Sequence, residues 1–159
     1  MLTVNVICVG RLKESWLREG CAEYIKRLNG RCRLNIVELD EKRLPEQPSQ
    51  AQIKAALDAE GDAILSAAGA SYITAMCIEG EKLSSEGLAK RIEKLAAGGV
   101  SAVSFVIGSS FGLSDKVKEA SRLRLSMSDM TFPHQLARLL LLEQLYRAFQ
   151  ISAGAKYHK

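Results

Sequence analysis

The sequence predicts an α/β fold with a mainly parallel sheet that is flanked by helices. Two observations carry this prediction. Short apolar runs alternate with helical segments along the chain, and the runs are continuously apolar instead of alternating with polar residues. Continuous apolar strands are typical of sheets that are covered on both faces, as parallel sheets with helical crossovers are.

Five apolar runs predict strands, and the segments between and after them predict helices. The strands are expected at residues 2–9, 34–39, 72–78, 102–107 and 123–127. The helices are expected at residues 13–28, 50–67, 84–97, 114–122 and 132–150. The proline-rich loop at 44–49 is too short to separate two domains, so residues 1–159 are expected to form a single domain.

The last predicted helix is too apolar for one packing face. Thr131 as N-cap and Pro133 in the first turn predict that it starts near residue 132. One arc of this helix holds Leu139, Leu141, Leu142, Leu145, Tyr146 and Phe149, and a second holds Leu136 and Leu140. Two apolar faces predict two partners, the sheet and a second copy of the chain, so we expect a homodimer. A central helix inside a monomer is the alternative.

Arg138 interrupts the larger apolar arc. A guanidinium is almost never buried without a carboxylate, a phosphate or an aromatic plate beside it, and the neighbouring sequence supplies none. Two interpretations stay open at this point: a contact to a substrate phosphate or base, and a salt bridge across the dimer.

Composition narrows the class of protein. With 47% hydrophobic and 25% charged residues, the 159-residue chain has the balance of a soluble globular domain. No apolar run approaches the length of a membrane span, and the first residues lack the features of a signal peptide, so we expect a cytoplasmic protein that does not bind membranes. The four cysteines are scattered and form no CxxC pair, which predicts buried, reduced thiols and no metal site.

The charge is unevenly distributed along the chain. Residues 1–43 carry +3, residues 44–115 carry −4 and residues 116–159 carry +5. Basic ends around an acidic middle favour an anionic partner such as nucleic acid.

Three loops that follow predicted strands are candidate ligand loops, because ligands of parallel sheets bind at the carboxyl ends of the strands. They cover residues 79–82, 108–114 and 126–132. The first strand is followed by Gly10 without a GxGxxG motif, and the second of these loops lacks the Lys-Ser/Thr ending of a P-loop, which disfavours ordinary dinucleotide and nucleoside triphosphate folds. Gly108 and Gly112 would let the backbone approach a ligand, and Ser114 would cap the next helix.

A serine hydrolase is a competing interpretation of the same loop. Residues 108–112 read GSSFG and match the GxSxG nucleophile elbow around Ser110, with Asp129 and then His134 or His158 in the hydrolase order. Hydrolases of that class need a longer sheet and an upstream oxyanion loop, and this chain has neither, so the match is expected to be accidental.

Several segments together resemble the bacterial ribosomal large-subunit methyltransferase H family of the SPOUT class. They are VGRLKESW, LSSEGLA, FVIGSSFGLS, LSMSDMTFPHQLARLLLLEQLYRAFQI and the ending YHK, in collinear order over essentially the whole chain. The resemblance implies a C-terminal trefoil knot, a homodimer, and methyl transfer from S-adenosylmethionine, without a metal, to N3 of a pseudouridine in the helix 69 loop of 23S ribosomal RNA in the assembled ribosome. A non-catalytic ribosome-binding module on the same fold is the alternative.

The resemblance also implies a site. The motif positions place the methyl donor against Met76, Gly108, Met127, Ser128, Asp129, Met130, Thr131 and Phe132. His158 is the candidate base, Tyr157 a stacking or hydrogen-bonding plate and Arg138 an anchor for a phosphate or a developing anion, with the tail of one subunit completing the pocket of the other. His134 is expected to be a hydrogen-bonded structural residue. The sequence departs from the family pattern at Ser109, where a second glycine is usual, and at Asp129, where lysine is frequent.

Overall fold

The computed structural model describes residues 1–155, in which five strands alternate with five helices. The strands are β1 (Thr3–Val9), β2 (Arg33–Leu39), β3 (Tyr72–Lys82), β4 (Ala102–Ile107) and β5 (Leu123–Ser126). The helices are α1 (Ser15–Leu28), α2 (Gln50–Ala68), α3 (Ser85–Ala97), α4 (Asp115–Ala120) and α5 (His134–Ser152).

The strands form one sheet in the order β2-β1-β4-β3-β5, and every neighbouring pair is parallel. Parallel neighbours need crossover connections, and the helices between the strands supply them. The predicted α/β class with a mainly parallel sheet is therefore confirmed.

Both faces of the sheet are covered, which explains why the strands read as continuous apolar runs. Val4, Val6 and Cys8 of β1 belong to a buried cluster with residues of α1, α3 and α5. Ile7 and Val9 of the same strand belong to a second cluster with residues of α2 and α4. Successive residues of a strand point to opposite faces, so β1 is apolar at both.

The third strand is longer than predicted. Residues 79–82 were expected as a loop, but they continue β3 beside β5, after an irregularity that shifts the pairing from Met76↔Leu125 to Glu81↔Leu125. Gly80 permits this second pairing, because a Cβ on it would lie 2.7 Å from the backbone nitrogen of Leu125. Residues 79–82 are charged residues and a glycine, which is the composition of a loop, so the extension of β3 could not be recognised from the sequence pattern.

The start of α5 also differs from the prediction. The helix begins at His134, with Pro133 as its N-cap residue and no side-chain cap, so the assignment of Thr131 as N-cap was wrong. The ring of a proline disfavours helical geometry at the residue before it, here Phe132, and this moves the start towards the C-terminus. The cap predicted for the preceding helix is confirmed, because the Ser114 hydroxyl accepts a hydrogen bond from the Val117 N–H at 3.3 Å.

Helix α5 is only partly covered within one chain. Leu141, Leu142 and Leu145 are fully buried, with α1 on one flank of the helix and α3 on the other. Its large apolar residues that are partly exposed are Leu136, Leu139, Leu140, Tyr146, Phe149 and Ile151. No helix among residues 1–155 has both the length and the apolar character needed to cross a bilayer.

Candidate active site

A cavity of about 160 Å³ lies where β4 and β5 end and β3 becomes irregular. Seven of the eight residues expected at the donor site line it: Met76, Gly108, Met127, Ser128, Met130, Thr131 and Phe132. A second cavity of about 370 Å³ shares Met76, Met127 and Phe132 with the first and continues between α3 and α5. Small-molecule pockets usually hold roughly 300–1,000 Å³, so a nucleoside-sized ligand needs both cavities. We call the two together the donor pocket, after the methyl donor that the sequence resemblance leads us to expect there.

Gly108 forms one wall of the donor pocket with backbone alone. A Cβ on this residue would collide with the carbonyl oxygen of Gly112. The loop is folded back on itself because the Gly112 N–H donates to the Ser109 carbonyl at 2.9 Å and Gly112 has a φ of +90°. Glycine is required at Gly108 by space and is favoured at Gly112 by conformation.

The loop after β5 is shaped by its own serines. The Ser126 hydroxyl donates to the Ser128 carbonyl at 3.0 Å, and the Met130 N–H donates to the Ser128 hydroxyl at 3.0 Å. Asp129 does not line the donor pocket. Its exposed carboxylate accepts two hydrogen bonds from the Lys82 ammonium, each 2.7 Å long.

Arg138 is buried and has its partners within the chain. Its Nη1 lies 2.8 Å from Glu38 Oε2, and its Nη2 donates to the Gly10 carbonyl at 3.2 Å. The guanidinium has a salt-bridge partner in its own chain, at the end of β2. Arg138 thus connects the start of α5 to β2 and to the residue after β1.

His134 lies at the boundary of the donor pocket. Its Nε2 is 3.8 Å from the point that a Cβ on Gly10 would occupy, so the imidazole stands beside the end of β1. The structural hydrogen bond expected for His134 is not found among residues 1–155. Tyr157 and His158, the two tail residues expected to act in catalysis, lie outside the described residues.

The arrangement does not support a serine hydrolase. Ser110 is exposed, and the carboxylate of Asp129 is occupied by Lys82. A hydrolase triad needs a histidine hydrogen-bonded to both residues, and within residues 1–155 no hydrogen bond joins His134 to either of them.

The sequence reasoning missed a buried carboxylate behind the donor pocket. Glu60 of α2 is only 4% exposed; its Oε2 accepts a hydrogen bond from the Lys42 N–H at 2.9 Å, and its Oε1 has no partner. Burial raises the pKa of this carboxyl, and the Lys42 N–H and the nearby Ser109 side chain oppose the shift. The spacing of Glu60 from Ile64 and Ala68, which are both buried, would have placed it on the inner face of α2.

The cysteines are free thiols, as predicted, and three of them are buried. Burial raises the pKa of Cys8 and of Cys32 to about 11, so both are protonated at neutral pH. Cys77 differs because it is only half-buried and lines the donor pocket. Within residues 1–155, no three His, Cys, Asp or Glu side chains converge on a point that would suit a metal ion.

The family model described as Predicted SPOUT methyltransferase matches residues 2–158 of this chain. The ribosomal RNA large subunit methyltransferase H of Bacillus pumilus (strain SAFR-032) is 48% identical over 159 residues, which cover 99% of this chain and 100% of that protein. The protein of the same name from Streptococcus thermophilus (strain CNRZ 1066) is 46% identical with the same coverage. Among solved structures, a probable methyltransferase from Bordetella pertussis Tohama I has a TM-score of 0.58 over 92% of this chain and 95% of that one, at 17% identity. At that identity the likeness shows a shared fold.

Proposed function

This chain belongs to the SPOUT methyltransferase family, and we propose that it transfers a methyl group from S-adenosylmethionine to N3 of the pseudouridine in the helix 69 loop of 23S ribosomal RNA. The observation that carries this proposal is the whole-length identity of 46–48% to proteins named ribosomal RNA large subunit methyltransferase H. The assembled ribosome is the proposed substrate, which assigns the protein to the cytoplasm. Residues 1–159 act as a single methyltransferase domain.

The lining of the donor pocket supports S-adenosylmethionine as its ligand. Gly108 lines the pocket with backbone alone, so a flat ring system can lie directly against it. Met76, Met127 and Phe132 offer apolar and polarisable contacts to such a ring. When bound, the sulfonium supplies an activated methyl group, and no metal is needed.

The remaining chemistry belongs to the protein. The acceptor nitrogen must lose its proton and lie in line with the transferred methyl group, about 3–3.5 Å away, so positioning contributes much of the rate. We assign proton removal to His158 and a stacking or hydrogen-bonding contact to Tyr157. Arg138 acts by positioning: with Glu38 and Gly10 it fixes the start of α5, the helix whose first residue, His134, borders the pocket.

We propose that the active protein is a homodimer with a trefoil knot in its C-terminal half. The partly exposed apolar residues of α5, including Leu136 and Leu140, support a second copy as the missing partner of this helix. In this arrangement the tail of one subunit brings Tyr157 and His158 to the donor pocket of the other.

The test is incubation with labelled S-adenosylmethionine and ribosomes that lack the modification, followed by mass spectrometry of the helix 69 fragment. We expect methyl gain at the pseudouridine with the wild-type protein. The His158→Ala variant is expected to bind the donor and transfer at least 100-fold more slowly. Donor binding without transfer by the wild type would favour a non-catalytic ribosome-binding module. Absence of both would remove the proposal.

A further inference from the structure

A wide cleft opens beside the donor pocket on the outer side of the same loops. It holds about 780 Å³ and shares Met76, Ser109, Thr131, Phe132 and His134 with the donor pocket. The two spaces adjoin each other, since these residues border both. A molecule in the cleft would therefore lie next to a bound methyl donor. We call this space the outer cleft.

The mouth of the two cavities is unusually apolar. Large hydrophobic side chains that are well exposed number six among residues 1–155, and three of them surround this opening: Ile78 at 52%, Phe111 at 48% and Met130 at 75% exposure. Exposed apolar side chains that gather around one concave surface mark a ligand or partner site, whereas scattered ones do not.

The ring of Phe111 is held outward by the loop that carries it. Ser109 and Gly112 form a short antiparallel bridge around it, closed by the 2.9 Å hydrogen bond from the Gly112 N–H to the Ser109 carbonyl. The loop is thereby fixed on both sides of the phenyl ring. A ring on a fixed loop can bind a flat partner with little loss of conformational freedom.

The charges of the outer cleft favour an uncharged occupant. Lys118 lines it, but its ammonium lies 2.6 Å from Glu79 Oε1, and Glu79 lines the cleft too. This contact lowers the pKa of Glu79, so the pair remains ionised and neutralises itself near neutral pH. Among the described residues that line the cleft, Lys118 is the only lysine or arginine, so a neutral base would meet a compensated pair there.

We propose that the outer cleft receives the unstacked acceptor nucleobase of the RNA, with Phe111 as its stacking face. The inference rests on the proposed methyl transfer, which requires the acceptor ring to lie directly beside the donor pocket. The other adjoining space, between α3 and α5, is lined by aliphatic residues such as Leu83, Leu88 and Leu140 and belongs to the donor pocket. Aromatic side chains bind unstacked bases of any sequence through their π-faces.

The test compares three variants at one position. We expect Phe111→Ala to raise the KM for ribosomes by roughly 10- to 100-fold. Phe111→Tyr should remain near wild type, and Phe111→Leu should resemble the alanine variant. The affinity for S-adenosylmethionine, measured by calorimetry, is expected to change less than about twofold. Trp16→Ala is the matched control, because Trp16 is an aromatic residue of similar exposure on α1 and lines neither cavity.

A second readout does not depend on transfer. A short single-stranded RNA that contains one 2-aminopurine should lose fluorescence when its base stacks on the wild-type protein, and Phe111→Ala should abolish this quenching. If Phe111→Ala abolishes the quenching but the wild-type protein adds no methyl group to ribosomes, the proposed function is wrong and base binding in the outer cleft is supported. If transfer is normal and Phe111→Ala changes neither readout, the cleft inference is wrong. Equal loss in Phe111→Ala and Trp16→Ala, or loss of donor affinity with Phe111→Ala, also overturns it.

Discussion

Arg138 Nη1 lies 2.8 Å from Glu38 Oε2, which ties the start of α5 to the end of β2, one hundred positions earlier in the chain. The guanidinium side of this pair is 5% exposed and the carboxylate side is 34% exposed. A buried cation that loses its counter-charge is strongly destabilising, whereas an exposed pair contributes little. Loss of the Arg138–Glu38 pair should therefore destabilise the region around the site more than loss of an exposed ion pair would.

Glu38→Ala should lower the free energy of unfolding by about 2–4 kcal/mol, because it strands the Arg138 guanidinium inside the protein. Urea unfolding would measure the change. Asp62→Ala is the matched control: it breaks the 2.8 Å pair with Lys116, in which both side chains are more than half exposed, and should have a much smaller effect. Equal losses of unfolding free energy in the two variants would contradict a special contribution of the Arg138–Glu38 pair.

We propose that Arg138 acts by positioning, and a double variant distinguishes this role from direct contact with RNA. The double variant Glu38→Leu with Arg138→Met replaces the pair by apolar groups and should regain most of the stability that Glu38→Ala loses. We expect it to transfer methyl groups within about tenfold of wild type. A folded double variant that binds the donor normally and transfers more than 100-fold more slowly would show that Arg138 contacts the RNA itself.

Gly108→Ala should weaken donor binding by at least tenfold and lower stability by roughly 1–3 kcal/mol, because the new methyl group meets the Gly112 carbonyl. Calorimetric titration with S-adenosylmethionine measures the first effect and thermal unfolding the second. Ser110→Ala, two positions along in the same loop, is exposed and should leave both unchanged. Loss of an esterase activity in Ser110→Ala would revive the hydrolase interpretation.

The fold class was predictable because apolar runs report burial on both faces of a sheet directly. The local exceptions depend on contacts that no short window of sequence contains. The second half of β3 exists because Gly80 lets the backbone of β5 approach, and the partner of Arg138 is one hundred residues away. The start of α5 was predictable in principle, since Pro133 itself disfavours helical geometry at Phe132.

The candidate site was located by motif resemblance more than by physical reasoning. The motif positions placed seven of eight residues in one cavity, and the exception, Asp129, is held by Lys82, whose position depends on the unexpected extension of β3. Glu60 was missed because acidic residues on helices are usually assigned to solvent. The outer cleft was missed because Phe111 and Ile78 are far apart in sequence and meet only after folding.

Glu60 should give the stability of the protein a distinct pH dependence. Its pKa in the folded state is raised above the ordinary 4.5, so the folded protein binds the proton more tightly than the unfolded chain does. Stability from this group is therefore greatest below pH 4.5 and is lost as the pH rises through the raised folded value. The free energy of unfolding of the wild type, relative to that of Glu60→Gln, should therefore fall as the pH rises through this range. A difference that is constant from pH 4 to 8 would contradict a buried, titrating Glu60.

Asp129 offers a test of RNA contact at the rim of the donor pocket. Asp129→Lys removes one negative charge, adds a positive one and frees Lys82 from its 2.7 Å contacts. If this rim faces RNA, the logarithmic salt dependence of ribosome binding should steepen by roughly 1–2, since the new lysine and the freed Lys82 can each contact a phosphate and release counterions. Donor affinity should change less than about twofold, because Asp129 does not line the pocket. Asp58→Lys, on the distant α2, is the charge-matched control and should leave the slope unchanged.

Cys77 provides a chemical probe of the donor pocket in the unmodified protein. It lines the pocket and is half-buried, whereas Cys8, Cys21 and Cys32 are buried. Burial raises the pKa of the Cys77 thiol, so alkylation by iodoacetamide should be slow at neutral pH and accelerate as the pH rises, because the thiolate is the reacting form.

Saturating S-adenosylmethionine should slow alkylation of Cys77 at least tenfold by covering it. Peptide mass spectrometry would follow each cysteine, and the three buried thiols should react only after unfolding. Alkylation of Cys77 at the same rate with and without the donor would place the donor elsewhere.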